Sequence, residues 1–194
     1  MKMVGQAFRM LLVLTILTGV IYPLVVTLAA QVIFPAQANG SLVTVDDEIV
    51  GSELIGQISD DPRYFWSRPS AVDYMQGSSP DALGSSGATN YGNTNATLAE
   101  QVAAHEAAFR EANAIPEDMA VPVEMLYASG SGLDPHISPE AARMQIGRVA
   151  EARALSRETV VRLVEHLVEP PQFGILGQPR VNVLLLNLTL DQLQ

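Results

Sequence analysis

The chain has 194 residues, 21 of them acidic against 11 basic, a formal net charge of −10, and no cysteine. That balance argues against nucleic acid and against adhesion to anionic lipid. The missing cysteine excludes a disulfide framework, a thiolate metal site and a cysteine nucleophile.

The first element is the apolar run Met10 to Phe34, 25 positions without a charge. At ~1.5 Å per residue it is long enough to cross a hydrocarbon core of ~30 Å. Ala36-Gln37-Ala38 has the small-x-small form of a leader-peptidase site, but a cleaved leader has an apolar core of only about 7 to 15 residues. The run is therefore read as a retained anchor. Lys2 and Arg9 precede it, and the next basic residue is Arg63, after Asp46, Asp47 and Glu48. Positive flanking charge stays inside. The expected organisation is thus residues 1–9 in the cytoplasm, 10–34 as a transmembrane helix, and 35–194 as one extracytoplasmic domain. Thr15, Gly19, Pro23 and Thr27 recur every four residues, laying small or helix-loosening residues along one stripe where a partner helix can approach. The alternative is that a single span merely tolerates them.

Beyond the anchor, Ser41 to Ile58 reads as a hairpin around Asp46-Asp47, a solvated turn rather than a cation site, since two neighbouring carboxylates supply too few oxygens. In Pro62 to Ala71, PRYFWSRPSA, the aromatics Tyr64, Phe65 and Trp66 stand between Arg63 and Arg68. They form either a stacking shelf for a ligand or the edge of a core, and the core is the expectation. Gly77 to Asn95 reads as a long loop. Its glycines make no phosphate loop, because no GK[ST] follows.

A helix is expected from Thr97, with a Thr97-x-x-Glu100 capping box, to about Ala112. His105-Glu106 opens an HExxH-like pattern, but position 109 is Phe, so the second zinc ligand is absent. Ser138 as N-cap and Pro139 at the first position start a helix to about Leu155. The loop before it, Ala128 to His136, arrives at a helix N-terminus, where Asp134 and Glu140 satisfy the dipole. Ser131, Asp134 and His136 are spaced too closely around Pro135 to make a catalytic triad. Arg143, Arg148 and Arg153 advance by five, about 140° of rotation each, and read as scattered surface charges. Ser156 caps a further helix that stops before Pro170-Pro171. Val181 to Leu190 reads as a central buried strand. The fold class is α+β: one N-terminal transmembrane helix and one extracytoplasmic domain with a mostly β core and flanking helices.

Taken together, Tyr22-Pro23 in the anchor, GSELIGQ (Gly51 to Gln57), PRYFWSRPSA, SGATNYGNTN (Ser86 to Asn95), ASGSGLDPHISPEAA (Ala128 to Ala142) and the terminal FGILGQPRVNVLLLNLTLD resemble the KdpC family. These are the small C subunits of the bacterial Kdp potassium-transporting ATPase, and six motifs in one order cover nearly the whole chain. The resemblance implies a non-catalytic accessory subunit in the inner membrane, assembled with a channel-like A subunit that passes potassium, a P-type ATPase B subunit that hydrolyses ATP, and a single-helix F subunit. It implies no cofactor of the chain's own. A competing role attached to the family is that of a catalytic chaperone that raises the B subunit's affinity for ATP. That role would fall on Ser129, Gly130, Ser131, Gly132 and Gln145 as nucleotide contacts, and it conflicts with the orientation read from the flanking charges. One loop departs from the family's usual SGGSNLGPTNP, with Ala88, Tyr91, Asn93 and Ala96 in place of Gly, Leu and two prolines.

Overall fold

The computed structural model describes residues 2–72 and 86–193, so the first part of the Gly77–Asn95 loop, up to residue 85, lies outside the described residues. The chain divides into two compact units, residues 1–52 and 53–194.

The first unit is led by helix α1, Lys2–Ile33, 32 residues long. Its α-helical bonding is interrupted by a π turn at Leu17–Ile21, where the Tyr22 N–H reaches back to the Leu17 carbonyl. The interruption sits where it is needed. Pro23 has no N–H, and its ring crowds the carbonyl four residues back, so a wider turn just before it relieves the ladder. Residues that precede proline favour extended backbone, and Phe34, at φ −134°, ends the helix before the single turn α2, Pro35–Ala38. Strands β1, Leu42–Val45, and β2, Glu48–Ser52, pair antiparallel with a bulge between Val43 and Thr44. Asp46 and Asp47 take φ of 50° and 66° in the turn, the left-handed geometry that short polar side chains tolerate in a two-residue hairpin. The expected hairpin is present, and it belongs with the helix by contact.

In the second unit, helix α3, Ala96–Asn113, is capped by Asn95, two residues upstream of the expected cap. Asn95 Oδ1 accepts from the N–H groups of Thr97 and Leu98 at 2.8 and 3.3 Å, so Thr97 lies inside the first turn and the Thr97–Glu100 box does not form. Helix α4, Pro139–Ala152, starts as read, with Ser138 Oγ accepting from Ala141 N–H at 3.1 Å. It stops three residues short of Leu155, at a left-handed Ala154. Helix α5, Arg157–His166, is capped by Ser156. Strands β3, His136–Ile137, and β4, Val181–Asn182, make a two-residue antiparallel pair.

The expected long C-terminal strand is a helix instead. Helix α6, Val183–Asp191, follows β4 directly, because Asn182 Oδ1 accepts from Leu185 N–H at 3.2 Å and caps a Leu-rich run with strong helix propensity. The core accordingly comes chiefly from helices: Phe109 of α3, Ile146 and Val149 of α4, Val160 and Val164 of α5, and Leu186 and Leu190 of α6 are buried around Phe65. The molecule is α+β, with small sheets and a helical interior rather than a mostly β one.

Candidate functional site

In α1 no side chain is buried by the chain itself. Thr15, Gly19, Pro23 and Thr27 are all exposed, and a Cβ placed on Gly19 would meet nothing within 4 Å. Four-residue steps overshoot a full α-helical turn by about 40°. The π turn at Leu17–Ile21 works against that drift, keeping the upper and lower halves of the stripe nearer one side.

In the second unit four side chains from α4, its C-cap and α6, Gln145, Arg148, Arg153 and Asn187, converge on one irregular segment, Asp61 to Arg68. Gln145, with 0 % exposure, clamps Trp66 from α4. Its Oε1 accepts from the Trp66 N–H at 2.7 Å and its Nε2 donates to the Trp66 carbonyl at 3.2 Å. Asn187 of α6 does the same for Phe65, at 2.8 and 3.0 Å. Arg148 donates to the carbonyls of Pro62 and Tyr64 at 2.8 and 2.9 Å and to Gln145 Oε1 at 2.8 Å, and its guanidinium lies 4.3 Å from the Trp66 ring centroid. Arg153, with a side chain 2 % exposed, donates to the Arg63 carbonyl at 2.7 Å and pairs with Asp191 at 2.6 Å. Burial pushes the Arg148 guanidinium down to about 10, so it stays charged at neutral pH.

Two of the three arginines read as scattered surface charges are therefore structural clamps; only Arg143, paired with Glu165 at 2.6 Å, is on the surface. Their five-residue spacing hid this. The informative spacing was Gln145 to Arg148, three apart on one helix face. The aromatic segment is a core edge, as read, with Phe65 at 0 % exposure, and Arg also stacks on it, supplied by this chain's own α4.

The residues carried over as nucleotide contacts fall in two places. Ser129 to Gly132 form a tight loop: Ser129 N–H donates to the Pro69 carbonyl at 3.1 Å, Gly132 N–H to Ser129 Oγ at 3.0 Å, and Leu133 N–H to Ser131 Oγ at 3.1 Å. Ser86 Oγ and Gly87 N–H both donate to the Ser131 carbonyl. Gly132 sits at φ +72°, where a Cβ would come 2.7 Å from the Gly87 carbonyl oxygen, so only glycine fits. Gly130 is exposed. Gln145 bonds Trp66 and Arg148, and no hydrogen bond joins it to this loop among the described residues.

Ser131, Asp134 and His136 do not form a catalytic triad. Asp134 accepts from Arg68 Nη1 at 2.7 Å and from the His136 N–H at 3.0 Å, while His136 Nδ1 is 3.6 Å away. Hydrogen bonding from His136 first, then Arg68, holds the Asp134 carboxyl at about 2. The Ser131 hydroxyl is engaged by Ser129 and Leu133 instead.

A groove of about 1030 Å³ opens beside Asp134, lined among others by Arg68, Glu124, His136, Glu169 and Arg180. Arg68 is paired with Asp134, and Arg180 with Glu169 at 2.9 Å. Glu124 accepts from the Ser138 N–H at 3.3 Å and has no cation within ion-pair distance among the described residues.

A family model described as KdpC, K+-transporting ATPase, c chain, matches residues 4–192. The chain belongs to the KdpC family. Relatives named potassium-transporting ATPase KdpC subunit are 52 % identical over 191 residues in Methylococcus capsulatus, covering 97 % of this chain and 96 % of that one. The figures are 54 % over 186 residues in Sorangium cellulosum, 95 % of each chain, and 47 % over 188 residues in Herpetosiphon aurantiacus, 97 % of this chain and 95 % of that one. The family resemblance carried by the six motifs is thereby confirmed. A KdpC-family chain with, among its described residues, one apolar helix long enough to span is a membrane-associated subunit of a potassium-transporting ATPase.

Proposed function

We propose that this KdpC-family chain is a non-catalytic accessory subunit of an ATP-driven potassium uptake complex in the bacterial inner membrane. It helps the complex assemble and gates potassium entry beside the channel-like A subunit, the ATP-hydrolysing B subunit and the single-helix F subunit. The observation that carries this reading is α1, 32 residues without a buried side chain. A helix that apolar has its hydrophobic surroundings supplied from outside the chain, by lipid and by other helices. Lys2 and Arg9 at its start keep residues 1–9 in the cytoplasm and place the acidic domain outside. Inside that domain Gln145, Asn187, Arg148 and Arg153 are committed to backbone support, which favours a scaffold over a reactive centre. On this reading ATP stays with the B subunit, and Ser129 to Gly132 and Gln145 hold the domain together.

The competing role, raising the B subunit's affinity for ATP, needs the domain on the cytoplasmic side. Protease added to sealed right-side-out vesicles separates the two. The domain is degraded if it is extracytoplasmic, and a fully protected domain would overturn the proposal.

A further inference from the structure

Between α5 and β4 the chain forms a second, unlabelled hairpin whose contents set it apart from the rest of the domain. Glu169 and Arg180 exchange both backbone hydrogen bonds, at 2.8 and 3.0 Å, and Gln172 and Leu176 exchange theirs at 2.8 and 2.9 Å. Phe173 and Gly174 turn the tip with φ of 56° and 78°, and Pro170, Pro171 and Pro179 stiffen its arms. From Pro170 to Pro179 there is no charge, in a chain with 21 acidic residues. At the tip Phe173 is 84 % exposed, Ile175 81 % and Leu176 55 %. A phenylalanine held in the left-handed region is strained by its Cβ, and here its side chain is not buried by its own domain. The apolar tip continues through Leu176 into the groove that holds Glu124, a carboxylate with no cation within ion-pair distance among the described residues. An apolar centre bordered by a polar rim is the anatomy of a protein interface.

We infer that this hairpin tip and its groove are the surface by which the domain docks on a membrane-embedded subunit of the same transporter. The partner presents an uncharged apolar pocket for Phe173 and Ile175, and a basic side chain opposite Glu124. The inference rests on the accessory-subunit reading above. Charge decides for a protein over the bilayer. Loops that dip into lipid carry flanking Lys or Arg, or Trp and Tyr, at headgroup level. Here the only flanking basic residue, Arg180, is neutralised by Glu169, and the acidic domain is repelled by anionic lipid. The stiff, preformed tip loses little freedom on docking, which suits a fitted pocket.

The test uses the full-length chain co-expressed with the other transporter subunits. A photo-crosslinking phenylalanine analogue at position 173 should join this chain to one of those subunits. Crosslinks to lipid alone, or none, overturn the inference. Phe173→Asp with Ile175→Asp should lower co-purification roughly 10- to 100-fold, as expected when a large apolar side chain loses its buried site. Glu124→Arg should lower it as well, while Glu124→Gln has the smaller effect. Because Phe173 and Ile175 are exposed and Asp tolerates the left-handed turn at position 173, thermal unfolding of the Asp variants should match wild type or lie slightly above it, which separates lost docking from lost folding. If wild-type chain itself fails to co-purify, the accessory-subunit reading falls. If it co-purifies and the Asp variants do so equally, only the docking surface falls.

Discussion

Replacing Gln145 by leucine removes the clamp on Trp66 while keeping the side-chain volume. The Trp66 N–H loses its 2.7 Å acceptor, the Trp66 carbonyl loses its 3.2 Å donor, and Arg148 loses one of its acceptors. A buried polar group left without a partner costs about 1–3 kcal/mol. Trp66 is only half-buried, so water can reach part of the vacated site, and the sum should fall at roughly 2–4 kcal/mol, a large share of a stability of about 5–15 kcal/mol. For a chain of this size that lowers the unfolding midpoint by roughly 5–15 °C. Trp66 is the only tryptophan, so its fluorescence reports on the perturbed segment during urea or thermal unfolding of the full chain in detergent. Gln145→Glu keeps the acceptor for the Trp66 N–H and strengthens the contact with Arg148, but it sets a carboxylate against the Trp66 carbonyl, so it should fall between wild type and leucine. A loss below about 0.5 kcal/mol for Gln145→Leu would refute the clamp, because surface substitutions stay within that range. Adding ATP to the wild-type chain should leave the midpoint unchanged. A ligand-induced rise that vanishes in the leucine variant would instead assign Gln145 to nucleotide.

Three further outcomes follow from other contacts. Gly56→Ala puts a Cβ 2.5 Å from the Asp134 carbonyl oxygen, a backbone clash that should cost about 1–3 kcal/mol in the same unfolding assay. Asp134 is depressed from 3.8 to about 2 in the folded domain, so its contribution is fully present above pH 4 and is lost as pH falls toward 2. Asp134→Asn should flatten that part of the stability profile, and an unchanged acid limb would sink the assignment. Gly19→Leu, at a site with open space around it, should leave the isolated chain as stable as before yet weaken its co-purification with the channel-like subunit, since the cost falls on the approaching helix.

The parts of the fold that could be read in the residues are those written locally. Ser138, Pro139 and Ser156 mark helix starts because a cap acts within three residues of itself, and the uncharged run to Phe34 marks a membrane helix because length and composition suffice. Asn95 displaced Thr97 because both residue types cap, and only the observed bonds to Thr97 and Leu98 decide between them. The C-terminal segment misled for a different reason. A helix buried on most of its sides shows no polar face, so its periodicity cannot be told from that of a buried strand, and the cap at Asn182 was the sole local sign. The role of Gln145 was out of reach altogether: its partner, Trp66, is 79 residues away in the chain. The exposed tip was equally hidden, since a phenylalanine is not a residue that announces a left-handed turn.

These observations combine into one division of labour. Polar side chains that in many domains converge on a ligand are here turned inward, from α4, its C-cap and α6, onto the backbone of an irregular segment between Asp61 and Arg68. Such a segment has no ladder to satisfy its N–H and C=O groups, so the side chains supply what secondary structure does not. With the interior occupied in this way, what each unit has left to offer is its outer surface. In the first that surface is an apolar helix, and in the second it includes an uncharged hairpin tip. A subunit whose work is done through partners needs surfaces of this kind, held in shape by an interior that does not yield when they engage.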